Sequence, residues 1–506
     1  MATAIATRSA VIHRSGPLMC VSGGDGESLP RDVLRLIEGQ LVYTHRHYEH
    51  GGRGRGASVR YENRRMFQYD GKGRLICQVG WLQRIVRTLK LRGYEVDVVR
   101  DDPPLDRPDC YEQDWDALAA GFEFRKYQDV CIANIAASER GVIDAVPAFG
   151  KMWIIWMVCV LYPKAKIDII TRRRDVVASI RNLGIRWVPN VGQIGGGKRI
   201  EGRVTVFTAD SLHHNLFDAD IVLVDEVHEM MTDRYVKLLS RYQHARMYGF
   251  TATVATRADN AHARMEAIFG PTIFKISHAE AVRAGLVVPM IVKWLGIDAD
   301  CNPIAHLQSS TAKKRHGIWR NAARNEAIAE AAKSFVDRGL QTLILVDTFE
   351  HMLFLRRLLP EFICCYSEGV SQERMATWRR MGLLSDDEPR MTAQRRESLR
   401  VAFEERRILG AIATGVWAVG VSFNSLQVLI RAAGGVSKTN SIQMPGRVGR
   451  IDEKTGKKAG ILVDCMDYFD NGMLQQSLAR RRIYAGEGWS QYMPDGTLWT
   501  PKRYGK

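Results

Sequence analysis

From Phe122 onward one pattern recurs: a short apolar run rich in valine and isoleucine, a stretch whose apolar residues fall at helical spacing, then another apolar run. Strand and helix periods that alternate in this way predict parallel strands joined by helical crossovers, because a tight turn cannot link parallel neighbours. A first series predicts strands over residues 141–146, 167–170, 204–207, 221–224 and 247–250. A second predicts strands over 342–346, 362–365, 409–413, 428–430 and 459–463. The expected fold is therefore α/β, with two tandem parallel-sheet domains over residues 121–296 and 297–506. No sequence repeat relates the two, and no low-complexity tract interrupts them.

The front of the chain reads differently. Residues 1–26 lack acids until Asp25, carry Arg8 and Arg14, and have no apolar secretory core, so they are expected to be a flexible start. Residues 27–120 are expected to form a small basic α+β domain. Arg46, Arg53, Arg55, Arg60, Arg64 and Arg65 interleave there with Tyr48, Tyr61 and a glycine cluster, as a basic loop feeding a strand pair. A helix over 81–91, a strand over 94–99 and a linker over 101–108 follow.

Charge narrows the partners. A net charge of +16 and a pI near 9.5 favour a polyanion, either nucleic acid or an anionic membrane surface. No amphipathic basic helix singles out the membrane. The longest apolar run, 152–162, is far shorter than the ~20 residues a bilayer requires and reads as a buried helix. The nine cysteines are scattered without paired Cys-x-x-Cys spacing, so a reducing, cytoplasmic setting without a structural metal is expected.

Three segments carry chemistry. Ala145-Val-Pro-Ala-Phe-Gly-Lys-Met152 lies where a strand gives way to a helix, the place where backbone amides and the helix dipole receive phosphates. Ala148, Phe149, Gly150, Lys151 and Met152 would line that loop, with Lys151 as a point charge for the terminal phosphates. The hydroxyl that follows the lysine in a usual phosphate loop is replaced by Met152. A competing match, Gly192 to Lys198, is followed by Arg199 and by a return strand, which predicts a hairpin tip whose Lys198 faces nucleic acid.

Asp225 and Glu226 close an apolar strand, at the sheet edge where α/β folds bind ligands. Asp225 can hold magnesium, while Glu226 can deprotonate or orient a water. Thr251 and Thr253 end the next predicted strand, suited to couple nucleotide state to domain movement. Far downstream, Gln443-Met-Pro-Gly-Arg-Val-Gly-Arg450 sets Arg447 and Arg450 three residues apart on a glycine-punctuated turn, a spacing that fits one helical turn and points both forks one way at phosphate oxygens.

Together these segments resemble the superfamily two helicases, with two RecA-like domains. Phe122 to Gln128 is similar to the adenine-reading segment, with Arg125 and Gln128 at its positions. Residues 145–152 resemble motif I; Thr171 to Arg174 resembles motif Ia, with Arg172 and Arg173 on the strand backbone; Thr208 matches motif Ic. Asp225 to His228 matches motif II as a DEVH box, Thr251 to Thr253 motif III, Thr414 to Val421 with Gly420 motif V, and Gln443 to Arg450 motif VI. The similarity covers roughly residues 122–485 and is nearest the branch of XPB and the UvsW-type phage DNA helicases. Ser422 departs from it where many relatives carry aspartate.

The resemblance implies a monomeric ATP hydrolase that uses ATP and Mg2+ to move along nucleic acid, DNA rather than RNA, in recombination or repair. Lys151, Asp225, Glu226, Gln443, Arg447 and Arg450 would serve catalysis, and Arg172, Arg173, Lys198, Thr208 and Thr414 would meet nucleic acid. Two other readings stay open. Met152 suits an ATP sensor that hydrolyses weakly, and the same motor could drive a restriction or defence complex whose nuclease is another chain.

Overall fold

The computed structural model describes residues 8–500 apart from 50–57, 102–106, 173, 175, 253–260, 299, 301, 368–370, 386–390, 419–422, 437–440 and 443–444. Arg53, Arg55, Arg173, Thr253, Gly420, Ser422 and Gln443 lie outside the described residues. The chain divides into two compact units, residues 1–145 with 150–276, and residues 146–149 with 277–506.

The first unit opens with a small α+β module. Strands β1 (Arg8–Ser15) and β2 (Leu18–Gly23) form an antiparallel hairpin, β3 (Val42–Glu49) and β4 (Ser58–Arg65) a separate ribbon. Strands β5 (Phe67–Tyr69) and β6 (Leu75–Gln78) extend the hairpin, and β7 (Tyr94–Arg100) runs parallel to β1, in the order β5-β6-β2-β1-β7. The expectation of a flexible start over residues 1–26 is therefore corrected for residues 8–23, which form this hairpin; residues 1–7 lie outside the described residues. Ala10, Ile12, Met19 and Val21 alternate inward at 0–1% exposure and build a core with Val33, Ile37, Trp81, Ile85 and Leu89. Period-two burial orders this segment despite its arginines, because the small module cannot close its sheet without it.

The same unit holds the first parallel sheet: β8 (Arg140–Ala145), β9 (Ile167–Thr171), β10 (Gly192–Gly195), β11 (Lys198–Ile200), β12 (Val204–Thr208), β13 (Ile221–Val224), β14 (Arg246–Thr251) and β15 (Thr272–Ile276). Their order is β11-β10-β12-β9-β13-β14-β8-β15, parallel throughout except for β10 against β11. Strands β9, β12 and β13 are buried at every position, as a sheet covered on both faces requires. The expected hairpin tip is present: Gly195 pairs with Lys198 across Gly196 and Gly197, both with positive φ, which matches a two-residue turn. Arg14 and Arg100 both reach Glu139, and Arg84 pairs with Glu266, tying the small module to this sheet.

The second unit carries the other sheet: β16 (Met290–Ile297), β17 (Thr342–Leu345), β18 (Ile363–Cys365), β19 (Gly410–Ala413), β20 (Val428–Arg431), β21 (Gly460–Asp467), β22 (Ser490–Tyr492) and β23 (Leu498–Trp499), ordered β18-β19-β17-β20-β21-β16-β22-β23. Strand β16 pairs with β21 over its whole length, so it belongs here, and the division falls before Ser277 rather than at residue 297. The boundary was misread because Met290 to Ile297 follows the first series without a turn cluster, and only its long-range partner reveals its sheet.

Among the described residues no helix is long and apolar enough to cross a membrane. The apolar run expected to be a buried helix spans Lys151–Leu161, with Ile154 to Cys159 at 0% exposure.

Candidate nucleotide and nucleic-acid site

Strands β8, β13 and β14 are parallel neighbours, so Ala145, Val224 and Thr251 end on the same edge of the first sheet. With β14 between them, the ends of β8 and β13 stand about 10 Å apart, two strand spacings. That edge carries the phosphate-loop candidate, the acidic pair and the threonine together.

The loop after β8 turns sharply into the helix Lys151–Leu161, whose N-cap is Gly150 at φ 98°. A side chain there would be strained and would also collide: a β-carbon on Gly150 would come 2.7 Å from Gln128 Nε2. The helix starts without a side-chain cap, leaving the Lys151 and Met152 amides directed outward from the N-terminus while the Trp153 N–H donates to Gly150 O. Lys151 Nζ donates to Ala145 O at 3.0 Å, so the ammonium bends back across the loop mouth. Phe149 is fully buried and anchors the loop. Met152 is half-buried in the first turn.

Gln128 starts the helix Gln128–Ala136, is 2% exposed, and accepts the Arg125 backbone N–H at 3.0 Å through Oε1. The Arg125 side chain is exposed. The adenine-reading candidate and the phosphate loop are thus in contact at Gly150.

Asp225 follows β13, its amide bonded to Ile170 O. Glu226 adopts φ 46° and ψ 51°, and its Oε2 stands 3.4 Å from His228 Nδ1. His228 Nδ1 lies 3.0 Å from Thr251 Oγ1, and both residues are buried. A carboxylate, an imidazole and a hydroxyl therefore link the acidic segment to the end of β14, a connection suited to passing a small shift at Glu226 to the following segment.

Left-handed backbone clusters here. Among the described residues six non-glycine residues have positive φ, and three of them, Tyr127, Ala148 and Glu226, belong to the three segments of the site. Strain of this kind persists where surrounding structure holds it for a purpose. Ala148 at φ 72° gives a direct check. An L-residue in this region costs about 1–2 kcal/mol, and glycine adds back somewhat less through unfolded-chain freedom. Ala148→Gly is expected to raise the stability of the fold by about 0.5–1 kcal/mol. A denaturation midpoint that falls instead would show that the methyl group is needed in the loop.

The second unit holds the two arginines expected from the sequence, Arg447 and Arg450. Residues Pro445–Arg447 form a single 3-10 turn, not an α-helical one, because Gly446 and Gly449 flank Arg447 in a tight chain reversal. Arg447 and Arg450 are both half-buried, and Arg450 donates to Asn424 Oδ1 at 3.3 Å. Lys457 Nζ donates to the carbonyls of Asn424 and Leu426 at 2.9 and 3.0 Å, and burial pushes its pKa down to about 8. Asn424 and Lys457 hold Arg450 in place. Neither stood out as a site residue in the sequence, since an asparagine in the turn before β20 and one lysine among many carry no spacing signal.

Of the nucleic-acid candidates, Arg172 is exposed beyond β9, Lys198 is exposed at the hairpin, and Thr414 is half-buried at the end of β19. Thr208 does not fit the expectation. It is 1% exposed, its Oγ1 is 2.6 Å from Ser211 Oγ, and Gly195 lies against it closely enough that a β-carbon there would collide. The end of β12 is covered by the hairpin, so Thr208 supports Gly195 rather than reaching a phosphate.

Residues 121–256 match the family described as "Type III restriction enzyme, res subunit". No curated protein sequence matches the chain. Among solved structures the fold is similar to a fragment of a putative HsdR subunit of a type I restriction enzyme from Vibrio vulnificus YJ016, at 15% identity over 93% of this chain and 99% of that one, TM-score 0.51. It is similar also to S. cerevisiae Dbp5 bound to RNA and ADP BeF3, at 14% identity over 75% of this chain and 94% of that one, TM-score 0.51. The T4 UvsW structure aligns over 96% of this chain and 99% of that one at 14% identity, TM-score 0.41.

Residues 121–256 thus resemble the restriction-enzyme res-subunit family, and the fold of this chain is similar to that of the HsdR fragment and of Dbp5.

Two RecA-like sheets with a small N-terminal module make up its fold. The donor set at this sheet edge suits magnesium kept largely by water and phosphate oxygens: one carboxylate at Asp225, with a thioether at Met152 instead of a hydroxyl. Among the described residues no group of three His, Cys, Asp or Glu side chains is placed to enclose a metal alone. A magnesium ion arriving with ATP would supply charge neutralisation at the phosphates.

Proposed function

We propose that this chain is a superfamily two helicase, an ATP-driven motor that translocates on or unwinds DNA at junctions in replication, recombination or repair, resembling the UvsW-type phage DNA helicases. The observation that supports the reading best is the gathering of Lys151, Asp225, Glu226 and the buried His228–Thr251 pair at one edge of the first sheet. Lys151 and the first-turn amides would receive the β- and γ-phosphates, Asp225 the water shell of magnesium, and Glu226 the proton of the attacking water. Gln443, Arg447 and Arg450 would stabilise charge on the transferred phosphoryl group, and Thr251, Thr253 and Gly420 would convey nucleotide state. Arg172, Arg173, Lys198 and Thr414 would hold phosphates of the strand without reading its sequence, working as a monomer in the cytoplasm.

Met152 favours a second reading, in which the core binds ATP and nucleic acid but turns over slowly as a sensor. The restriction-subunit family match favours a third, a motor whose nuclease is a separate chain. Phosphate release measured with and without DNA or RNA decides between motor and sensor. Stimulated release that falls steeply as salt rises from about 50 to 200 mM is expected for the motor, because phosphate contacts release counterions. Release no greater than that of a Glu226→Gln control leaves only the sensor. Unwinding of forked, gapped and four-way DNA beside an RNA duplex identifies the substrate, and co-purification with a nuclease would favour the third reading.

A further inference from the structure

The helix Lys151–Leu161 is buried along almost all of its length, yet Trp153 in its first turn is 42% exposed. An indole left open to water two residues beyond the phosphate-loop lysine calls for a reason, since every following residue to Cys159 is at 0% exposure. Its inner side is fixed by aromatic neighbours. Phe122 meets it edge-on at 6.1 Å and Trp187 at 5.0 Å, while Phe122 and Trp187 stack on each other at 4.7 Å and 26°. Trp187 Nε1 donates to Gly121 O at 3.2 Å, which locks the cluster to the segment leading into Gln128. The indole is thus a rigid plate, held from behind.

Its position relative to the loop is equally defined. A β-carbon built on Gly150 would lie 2.7 Å from Gln128 Nε2 and 4.0 Å from Trp153 Cβ, so both side chains leave the backbone beside the same glycine. An amide offers a donor and an acceptor side by side, the pattern that matches the edge of adenine. An aromatic plate next to an edge-reading amide completes a base site, because every nucleobase has a π-face and purines have the larger one.

We infer that Trp153 is the stacking wall for the base of a nucleotide held by the phosphate loop, and that it makes the site prefer purine over pyrimidine triphosphates. The inference rests on the ATP-site reading above. Trp153 is a specificity-determining residue with no part in the chemical step, so its removal raises KM and leaves kcat in place.

The test compares ATP and CTP binding to the wild-type chain and to Trp153→Phe and Trp153→Ala, in magnesium, by calorimetry. Wild type is expected to favour ATP; Trp153→Ala is expected to weaken ATP about tenfold and bring ATP and CTP close together, while Trp153→Phe retains most of the preference. ATP is also expected to change the tryptophan emission of wild type, and the change is expected to be lost in Trp153→Phe, which keeps the ring and so the fold. ATP binding that is equal in all three chains, or an emission change that persists in Trp153→Phe, overturns the inference and leaves the ATPase reading standing. If wild type binds neither triphosphate, the ATPase reading itself fails.

Discussion

Glu226→Gln is expected to lower nucleic-acid-stimulated phosphate release by about 10²- to 10⁴-fold, the range in which a general base contributes, while ATP affinity changes little. Glutamine has the same length and can keep the contact that Glu226 Oε2 makes toward His228 Nδ1 at 3.4 Å. It can also be held at φ 46° by the same surroundings, so the backbone does not explain a loss. What it lacks is the capacity to take a proton from the attacking water. The measurement is single-turnover hydrolysis beside equilibrium binding of ATP. Hydrolysis at the wild-type rate would remove Glu226 from the catalytic role, and a parallel loss of binding would place it in nucleotide affinity instead.

Arg480→Met is expected to destabilise the second unit by about 3–5 kcal/mol, because it strands a buried carboxylate. Arg480 and Asp464 are both at 0% exposure; Arg480 Nε and Nη2 lie 2.8 and 3.0 Å from the carboxylate, and Tyr484 Oη donates to it at 2.7 Å. Burial pushes the Asp464 pKa up, but Arg480 and then Arg431 outweigh it and hold the carboxyl below its ordinary value. The sign follows. A depressed folded pKa contributes stability that is present above the unfolded pKa and lost as pH falls through the folded one. Wild type is therefore expected to lose stability in acid partly through Asp464. In Arg480→Met the burial penalty is no longer opposed by that guanidinium, Asp464 is easier to protonate, and the gap to wild type narrows as the pH drops toward 4. Thermal denaturation of both chains from pH 8 to pH 4 checks this. A gap that stays constant across that range would mean the lost packing of the arginine stem, not the charge, sets the cost. Adding Asp464→Asn to Arg480→Met is expected to recover part of the loss, since the stranded charge is then gone.

The strands of both sheets were legible because buried parallel strands leave unbroken apolar runs between helical stretches. All ten expected strands are present, with ends shifted by a residue or so, apart from the last, which continues to Asp467. Strands with weaker runs escaped. Strand β10 holds two glycines, β15 carries Lys275, β22 is short and polar, and β23 is only two residues long. The opening hairpin was hidden by Arg8 and Arg14 near the two ends of its first strand, although Ala10, Ile12, Met19 and Val21 together held the inward alternation.

The chemistry of the site was carried by residue type and spacing. Lysine after a glycine at a strand-to-helix turn, adjacent carboxylates at a strand end, and paired arginines on a turn are local patterns, and a local pattern survives in one dimension. Thr208 marks the limit: its hydroxyl and the hairpin at Gly192 to Lys198 were both readable, but the packing of Gly195 over Thr208 was not. The His228–Thr251 bond, the contact of Gln128 with Gly150, the clamp of Lys457 on Asn424 and the aromatic plate around Trp153 all join residues far apart in the chain. The order of amino acids thus determined the α/β alternation, the basic charge and which side chains are available for phosphate chemistry. Only the tertiary structure decided which of them meet, because contact depends on strand order and register, and neither is encoded in any single segment.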